Sequence, residues 1–266
     1  MSADASRAKR TLSAERPGRG VEFVYDEARH LAAYRYARTL VGGRDVLDAG
    51  CGEGFGTVLL VDEARSVLGI DYAAEAIATA RAAYPRPTLE FRQLDVHELP
   101  QLERRFDLVT NFQVIEHLPD PVRFLRAVRG VLAPSGQLML TTPNRLTSVS
   151  ENPVHLREYI AEELRALLAP LFGEVRIYSM LGNEKVRAFD AERGRQVRRF
   201  LRLDPLGLRR VLPERLVRFA FAQLSAVVRR RVVSVVSEAL RIVPDDFTVV
   251  EESRPDALDL VALCHP

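Results

Sequence analysis

The sequence predicts an α/β fold, with a parallel sheet covered by helices on both faces. Three observations predict it. Apolar runs alternate with helix-like segments from about residue 24 to about residue 180, the pattern of strands joined by crossover helices. The first apolar run leads into a turn with glycine at alternate positions, Val46-Leu-Asp-Ala-Gly-Cys-Gly-Glu-Gly-Phe-Gly56. The final run, Ala257-Leu-Asp-Leu-Val-Ala-Leu-Cys264, is apolar at every position but Asp259, as suits a strand buried on both faces.

In chain order, a helix is expected over Tyr25 to Leu40 and a first strand over Asp45 to Ala49. Thr57-Val-Leu-Leu-Val61 reads as the start of the next helix, and a second strand, Ser66 to Ile70, ends on Asp71. Ala73 to Ala83 is helical by propensity and stops before Pro85. Thr88 to Leu94 and Phe106 to Asn111 read as the third and fourth strands, with Asp107 ending a turn before the fourth. Pro119 to Val131 has helical spacing, and Gly136 to Thr142 gives a fifth strand stopped by Pro143. A helix over Glu162 to Leu171 and a sixth strand over Glu174 to Ser179 follow. The final strand begins roughly 75 residues later, too far for an ordinary loop. Helical spacing over Ala191 to Leu203, Pro213 to Val228 and Arg229 to Ile242 fills that gap. Residues 181–245 hold fifteen Lys and Arg against seven acids. This basic helical insertion reads as a solvated cap, or as a surface for an anionic substrate, a partner or a peripheral membrane contact.

Composition restricts the class. At 266 residues, with 47% hydrophobic and 28% charged residues, the chain suits one large soluble domain over residues 24–266, preceded by a flexible polar arm at 1–23. A net charge of +2 is too small to argue for nucleic acid, and none is expected as partner. No run reaches transmembrane length. Cys51 and Cys264 are far apart in sequence, so no disulfide framework is expected and a reducing cytoplasm fits. The oligomeric state is left open.

The glycine turn carries the first functional signal. Glycine takes positive φ without strain and lets a ligand approach the main chain, here at the carboxyl end of a parallel strand, where such sheets bind nucleotides. A dinucleotide fingerprint would need glycine where Phe55 stands. The spacing found is Asp48-x-Gly50-x-Gly52-x-Gly54. Asp71 follows about twenty residues later with Tyr72 beside it, where a carboxylate accepts from ribose hydroxyls. Asp48, Asp71 and Asp95 all fall at carboxyl ends of expected strands.

With Leu94-Asp-Val96, Phe106-Asp-Leu-Val-Thr-Asn-Phe-Gln-Val-Ile-Glu-His117 and Leu132-Ala-Pro-Ser-Gly136, the series resembles the class I methyltransferases that use S-adenosylmethionine. The resemblance covers about residues 24–180. It implies a Rossmann-like, doubly wound sheet of seven strands, the last antiparallel and inserted beside the fifth. It further implies that Gly50, Gly52, Gly54, Asn111 and Phe112 border the methionine moiety. Asp48 would orient the turn or the ammonium through water, Asp71 would hold the ribose, Tyr72 would also contact the cofactor, and Asp95 and Val96 would hold the adenine. Glu15-Arg-Pro17, Thr142-Pro-Asn144, Asn152-Pro-Val-His-Leu-Arg-Glu158 and Asp245-Asp-Phe247 narrow the resemblance to actinobacterial methyltransferases of methylated sugars and polysaccharides, with quinone-pathway enzymes as broader relatives. In that family Arg35 and Tyr36 are candidates for the methionine carboxylate or a lid.

The expected reaction is methylation of a hydroxyl on a small molecule or glycan. Methyl transfer is an in-line displacement, and a hydroxyl acceptor must also lose its proton. Of five histidines, His117 and His155 lead as base, with Glu116 the third catalytic candidate; His97 and His30 rank lower and His265 reads as tail. Glu116, His117 and His155 could supply ligands to a divalent metal, but their spacing is not compact and no metal is expected. A quinone or lipid-like acceptor, and a non-catalytic module that binds S-adenosylmethionine, are the alternatives.

Overall fold

The structure, a computed structural model, describes residues 21–148, 155–201 and 242–266. Its strands are β1 (Asp45–Ala49), β2 (Ser66–Asp71), β3 (Leu89–Gln93), β4 (Phe106–Phe112), β5 (Leu132–Pro143), β6 (Glu174–Gly182), β7 (Phe247–Val250) and β8 (Asp259–His265). They form one sheet in the order β3-β2-β1-β4-β5-β8-β6-β7. Strands β1 to β5 pair in parallel, and β8 lies antiparallel between β5 and β6. The doubly wound expectation holds, but the sheet has eight strands rather than seven. The additional β7 pairs antiparallel with β6, from Ser179↔Val250 to Gly182↔Phe247. Four residues are too few to display an alternating pattern, and this pairing also carries β6 three residues beyond Ser179. His265, read as tail, closes β8.

Helix α1 (Val21–Val41) starts within the segment expected as an arm. Helices α2 (Ala74–Ala83), α3 (Pro121–Val131), α4 (Ala161–Leu168) and α5 (Glu184–Leu201) follow. The expected helices at Pro213–Val228 and Arg229–Ile242 lie outside the described residues, apart from Ile242. Strand alternation sorts the core onto two faces. Leu47, Leu68, Val109 and Leu138 pack with Phe124, Leu125 and Val128 of α3 and Leu164 and Leu168 of α4. Val46, Val67, Leu108 and Met139 pack with Ala28, Ala33, Tyr34 and Ala37 of α1. The alanines let α1 approach the sheet closely. Asp120 caps α3 by accepting from the Arg123 amide at 2.9 Å, with Pro121 at the first turn.

Asp259, the polar exception in the last strand, is buried and paired: Arg29 of α1 donates from Nε and Nη2 to its two carboxylate oxygens. This fork fixes α1 across β8. Asp107 lies within β4 rather than before it, and its carboxylate accepts the Asp45 amide at 2.9 Å. Both cysteines are free and buried. Burial pushes the Cys264 thiol up to about 12 and the Cys51 thiol also upward. Among the described residues, no helix is long and apolar enough to cross a membrane.

Candidate active site

Strands β1, β2, β4 and β5 run parallel, so their carboxyl ends share one edge of the sheet, and the candidate residues gather there. Gly50, Gly52 and Gly54 have φ of 92°, 54° and 80°, values that favour glycine. Their surroundings differ. A Cβ on Gly50 would stand 2.5 Å from Val114 Cγ2, and one on Gly54 would stand 2.6 Å from Phe91 Cζ, whereas one on Gly52 would meet nothing within 4 Å. Gly50 and Gly54 are therefore shaped by packing, while Gly52 turns its main chain toward open space.

The amides of the turn are engaged internally. Gly50 and Cys51 donate to the Ile70 carbonyl, Gly54 to the Cys51 carbonyl, and Gly52 to Asp71 Oδ2 at 3.1 Å. The segment after the turn, Thr57–Leu60, is a four-residue 3-10 helix rather than an α-helix. The turn thus offers close approach to its backbone, not a row of amides backed by a long helix dipole.

Asp48 is fully buried beneath this turn. Its Oδ2 accepts from Tyr34 Oη at 2.8 Å and Thr57 Oγ1 at 2.6 Å, and its Oδ1 accepts from Thr110 Oγ1 at 2.8 Å. Desolvation raises its pKa, partly offset by these three hydroxyls. Asp48 accordingly ties β1, β4, α1 and the 3-10 segment together. Tyr34, Thr57 and Thr110 carried no sequence signal, because only the fold brings them to one carboxylate. The Tyr34 ring also fills the space beside Gly56, where a Cβ would lie 1.9 Å from Tyr34 Cε2.

Asp71 joins two turns, accepting from Gly52 through Oδ2 and from the Ala73 amide through Oδ1 at 2.8 Å. Tyr72 is half-buried, and its carbonyl accepts from Gln93 Nε2 at 3.0 Å. Asp95 caps the 3-10 segment Val96–Leu102, accepting from the His97 amide at 3.0 Å and facing His97 Nδ1 at 2.9 Å, while Val96 is buried behind it. Asn111 is buried and donates to the Ala49 carbonyl at 2.6 Å; its Oδ1 has no partner among the described residues. Phe112 meets Tyr34 edge-on at 4.8 Å on the α1 side of the sheet. Gln113, next in the chain, has a φ of 56°, an unusual backbone for a side-chain-bearing residue at a strand end.

The expected catalytic residues converge. Glu116 and His117 lie on a single 3-10 turn after β4, and both are buried. His155 arrives from a different loop, its ring 4.9 Å from that of His117. The loop is stapled in place: the amides of Leu156 and Arg157 donate to the Glu116 carbonyl at 2.8 and 3.2 Å. Thr142 of β5 donates to Glu116 Oε2 at 3.1 Å, and His155 Nδ1 faces Glu158 Oε1 at 2.6 Å. Val114, which packs against Gly50, accepts the His117 amide through its carbonyl at 3.0 Å. The glycine turn and this cluster are therefore neighbours.

Comparison with known proteins agrees with this arrangement. Residues 47–140 match the methyltransferase domain family. A probable S-adenosylmethionine-dependent methyltransferase of Mycobacterium tuberculosis is 41% identical over 198 residues, which are 71% of each chain. The chain belongs to the S-adenosylmethionine-dependent methyltransferases. A ubiquinone biosynthesis O-methyltransferase of Pseudomonas aeruginosa is 32% identical over 130 residues, covering 48% of this chain and 56% of that protein. A Thermotoga maritima methyltransferase structure, described as a possible histamine N-methyltransferase, superposes with a TM-score of 0.58 at 14% identity over 91% of both chains, a likeness of fold alone.

This methyltransferase is a class I enzyme, and S-adenosylmethionine is its cofactor. When bound, the cofactor supplies an electrophilic methyl group on a sulfonium. The site fits it: the open side of Gly52 admits a ligand against backbone, and Asp71 places a carboxylate at the next strand end. Arg35 and Tyr36, candidates for a carboxylate or lid contact, have neighbours near β7: Arg35 pairs with Asp245, and burial followed by the Glu251 carboxylate raises the Tyr36 pKa. Sequence reasoning also missed Glu158, although its position three residues after His155 was a readable signal.

Proposed function

We propose that this methyltransferase acts on a hydroxyl of a small molecule or glycan, with the acceptor proton removed at the cluster of Glu116, His117 and His155. The observation that carries the reading is the His155–Glu158 contact of 2.6 Å, set against His117 beside the cofactor turn. A carboxylate on Nδ1 fixes the ring's orientation and tautomer and stabilises the imidazolium formed when Nε2 accepts a proton. Acting through side chains alone, His155 is the base. His117, more deeply buried, orients the acceptor.

A quinone or lipid-like acceptor is the second reading. It is favoured by the ubiquinone-pathway relative and by Leu146 and Leu156, which are 61% and 54% exposed on the two loops that meet at Glu158. A quinone itself has no hydroxyl, but its phenolic or reduced form presents one, so one experiment serves. The enzyme is incubated with S-adenosylmethionine and a panel of sugars and phenols, and products are read by mass spectrometry. A methyl ether should form, and His155→Ala should cut turnover by about a hundredfold or more while binding of S-adenosylhomocysteine is unchanged. Full turnover in His155→Ala, or methylation confined to amines, overturns the proposal.

A further inference from the structure

Glu116, His117 and His155 each offer a metal-ligating atom, and these atoms all lie within 4.8 Å of one another. We propose that the three side chains bind a divalent transition-metal cation of the zinc class and leave a coordination position open for an oxygen of the acceptor. Two imidazoles and one carboxylate form a donor set that suits zinc and disfavours magnesium or calcium, which take oxygen ligands.

Three features of the surroundings support this reading. The His155 Nδ1–H donates to Glu158, so the neutral ring carries its lone pair on Nε2, and a carboxylate behind a histidine is the usual support of a metal ligand. Ser148 Oγ donates to the same Glu158 oxygen at 3.1 Å, and Thr142 holds Glu116. The Glu116 carbonyl anchors the His155 loop through two amides, so the backbones that carry ligands 38 residues apart in sequence are held together before any cation arrives.

The 4.8 Å envelope is wider than the roughly 3.3 Å between ligand atoms in a tetrahedral zinc shell. Binding therefore requires the three side chains to rotate toward one another on backbones that the loop contacts hold. An acceptor hydroxyl bound to such a cation is acidified and releases its proton to solvent. Its oxygen then forms the new bond to the methyl carbon as the carbon–sulfur bond breaks, leaving S-adenosylhomocysteine. In that state the histidines serve as ligands, and acidity comes from ligation rather than from an imidazole base. This role rests on the hydroxyl-methylation reading, whereas cation binding does not.

The test uses the full chain, stripped with chelator and titrated with Zn²⁺ by calorimetry and with Co²⁺ by visible absorption. One equivalent should bind, and Glu116→Gln, His117→Ala and His155→Ala should each weaken binding by at least about tenfold. S-adenosylhomocysteine binding in the same variants should match the parent and certifies their fold. Absence of stoichiometric uptake, or unchanged affinity in the triple variant, overturns the site. Full turnover by the chelated enzyme overturns the catalytic role and leaves hydroxyl methylation standing. Zn²⁺ uptake by a protein that methylates no hydroxyl supports the site and overturns the hydroxyl reading instead.

Discussion

Substituting the three positive-φ glycines one at a time separates the folding role of the turn from its cofactor role. Gly52→Ala adds a methyl where nothing lies within 4 Å, at a φ of 54°. Its stability cost is the left-handed backbone alone, about 1–2 kcal/mol, lessened by several tenths through the stiffer unfolded chain. Gly54→Ala carries the same backbone cost and also drives its Cβ to 2.6 Å from Phe91 Cζ. Overpacking adds about 1–3 kcal/mol, for a total of about 2–5. Binding should follow the opposite order. The added methyl of Gly52→Ala projects into the space assigned to the cofactor and should weaken S-adenosylhomocysteine at least tenfold, about 1.4 kcal/mol. Urea unfolding and calorimetry measure the two quantities independently. If Gly52→Ala binds S-adenosylhomocysteine as the parent does, the cofactor does not lie on the open side of this turn. If Gly54→Ala unfolds no more readily than Gly52→Ala, the packing argument fails.

Two further outcomes concern charges placed by the fold. His97 faces Asp95 Oδ1 at 2.9 Å and the Asp120 carbonyl at 3.1 Å; two acceptors require both ring nitrogens to carry protons. The Asp95 hydrogen bond raises its pKa, so its contribution is complete below the ordinary histidine value near about 6.5 and is lost as pH rises through the raised value. The stability advantage of the parent over His97→Gln, under about 1 kcal/mol for this partly exposed pair, should shrink above neutral pH; a difference that is flat or grows with pH refutes it. Arg29→Met leaves the buried Asp259 carboxylate uncompensated and should cost about 3–5 kcal/mol in urea unfolding. Arg29→Met with Asp259→Leu should recover most of that loss, and a single-variant cost below about 1 kcal/mol would show the fork to be incidental.

The glycine turn and the acidic end of the second strand were legible because they are local. Gly50, Gly52 and Gly54 follow β1 at positive φ values that favour glycine, and Asp71 closes β2. What eluded sequence reasoning was short or distributed. Strand β7 has four residues and exists only because the end of β6 offers it an edge. Asp48 reads as a carboxylate that orients the turn, but its hydroxyl partners come from residues 34, 57 and 110, which only the fold brings together.

The sequence by itself determined the sheet class, the glycine turn and the cofactor, because periodicity and glycine conformation act over a few neighbouring residues. Tertiary structure alone decided that His155, with Glu158 behind it, would meet Glu116 and His117, since that contact spans 38 residues and depends on amides binding the Glu116 carbonyl. Side-chain chemistry can be read along a chain. Distances between groups on different loops arise only when the packed sheet brings its strand ends to one edge.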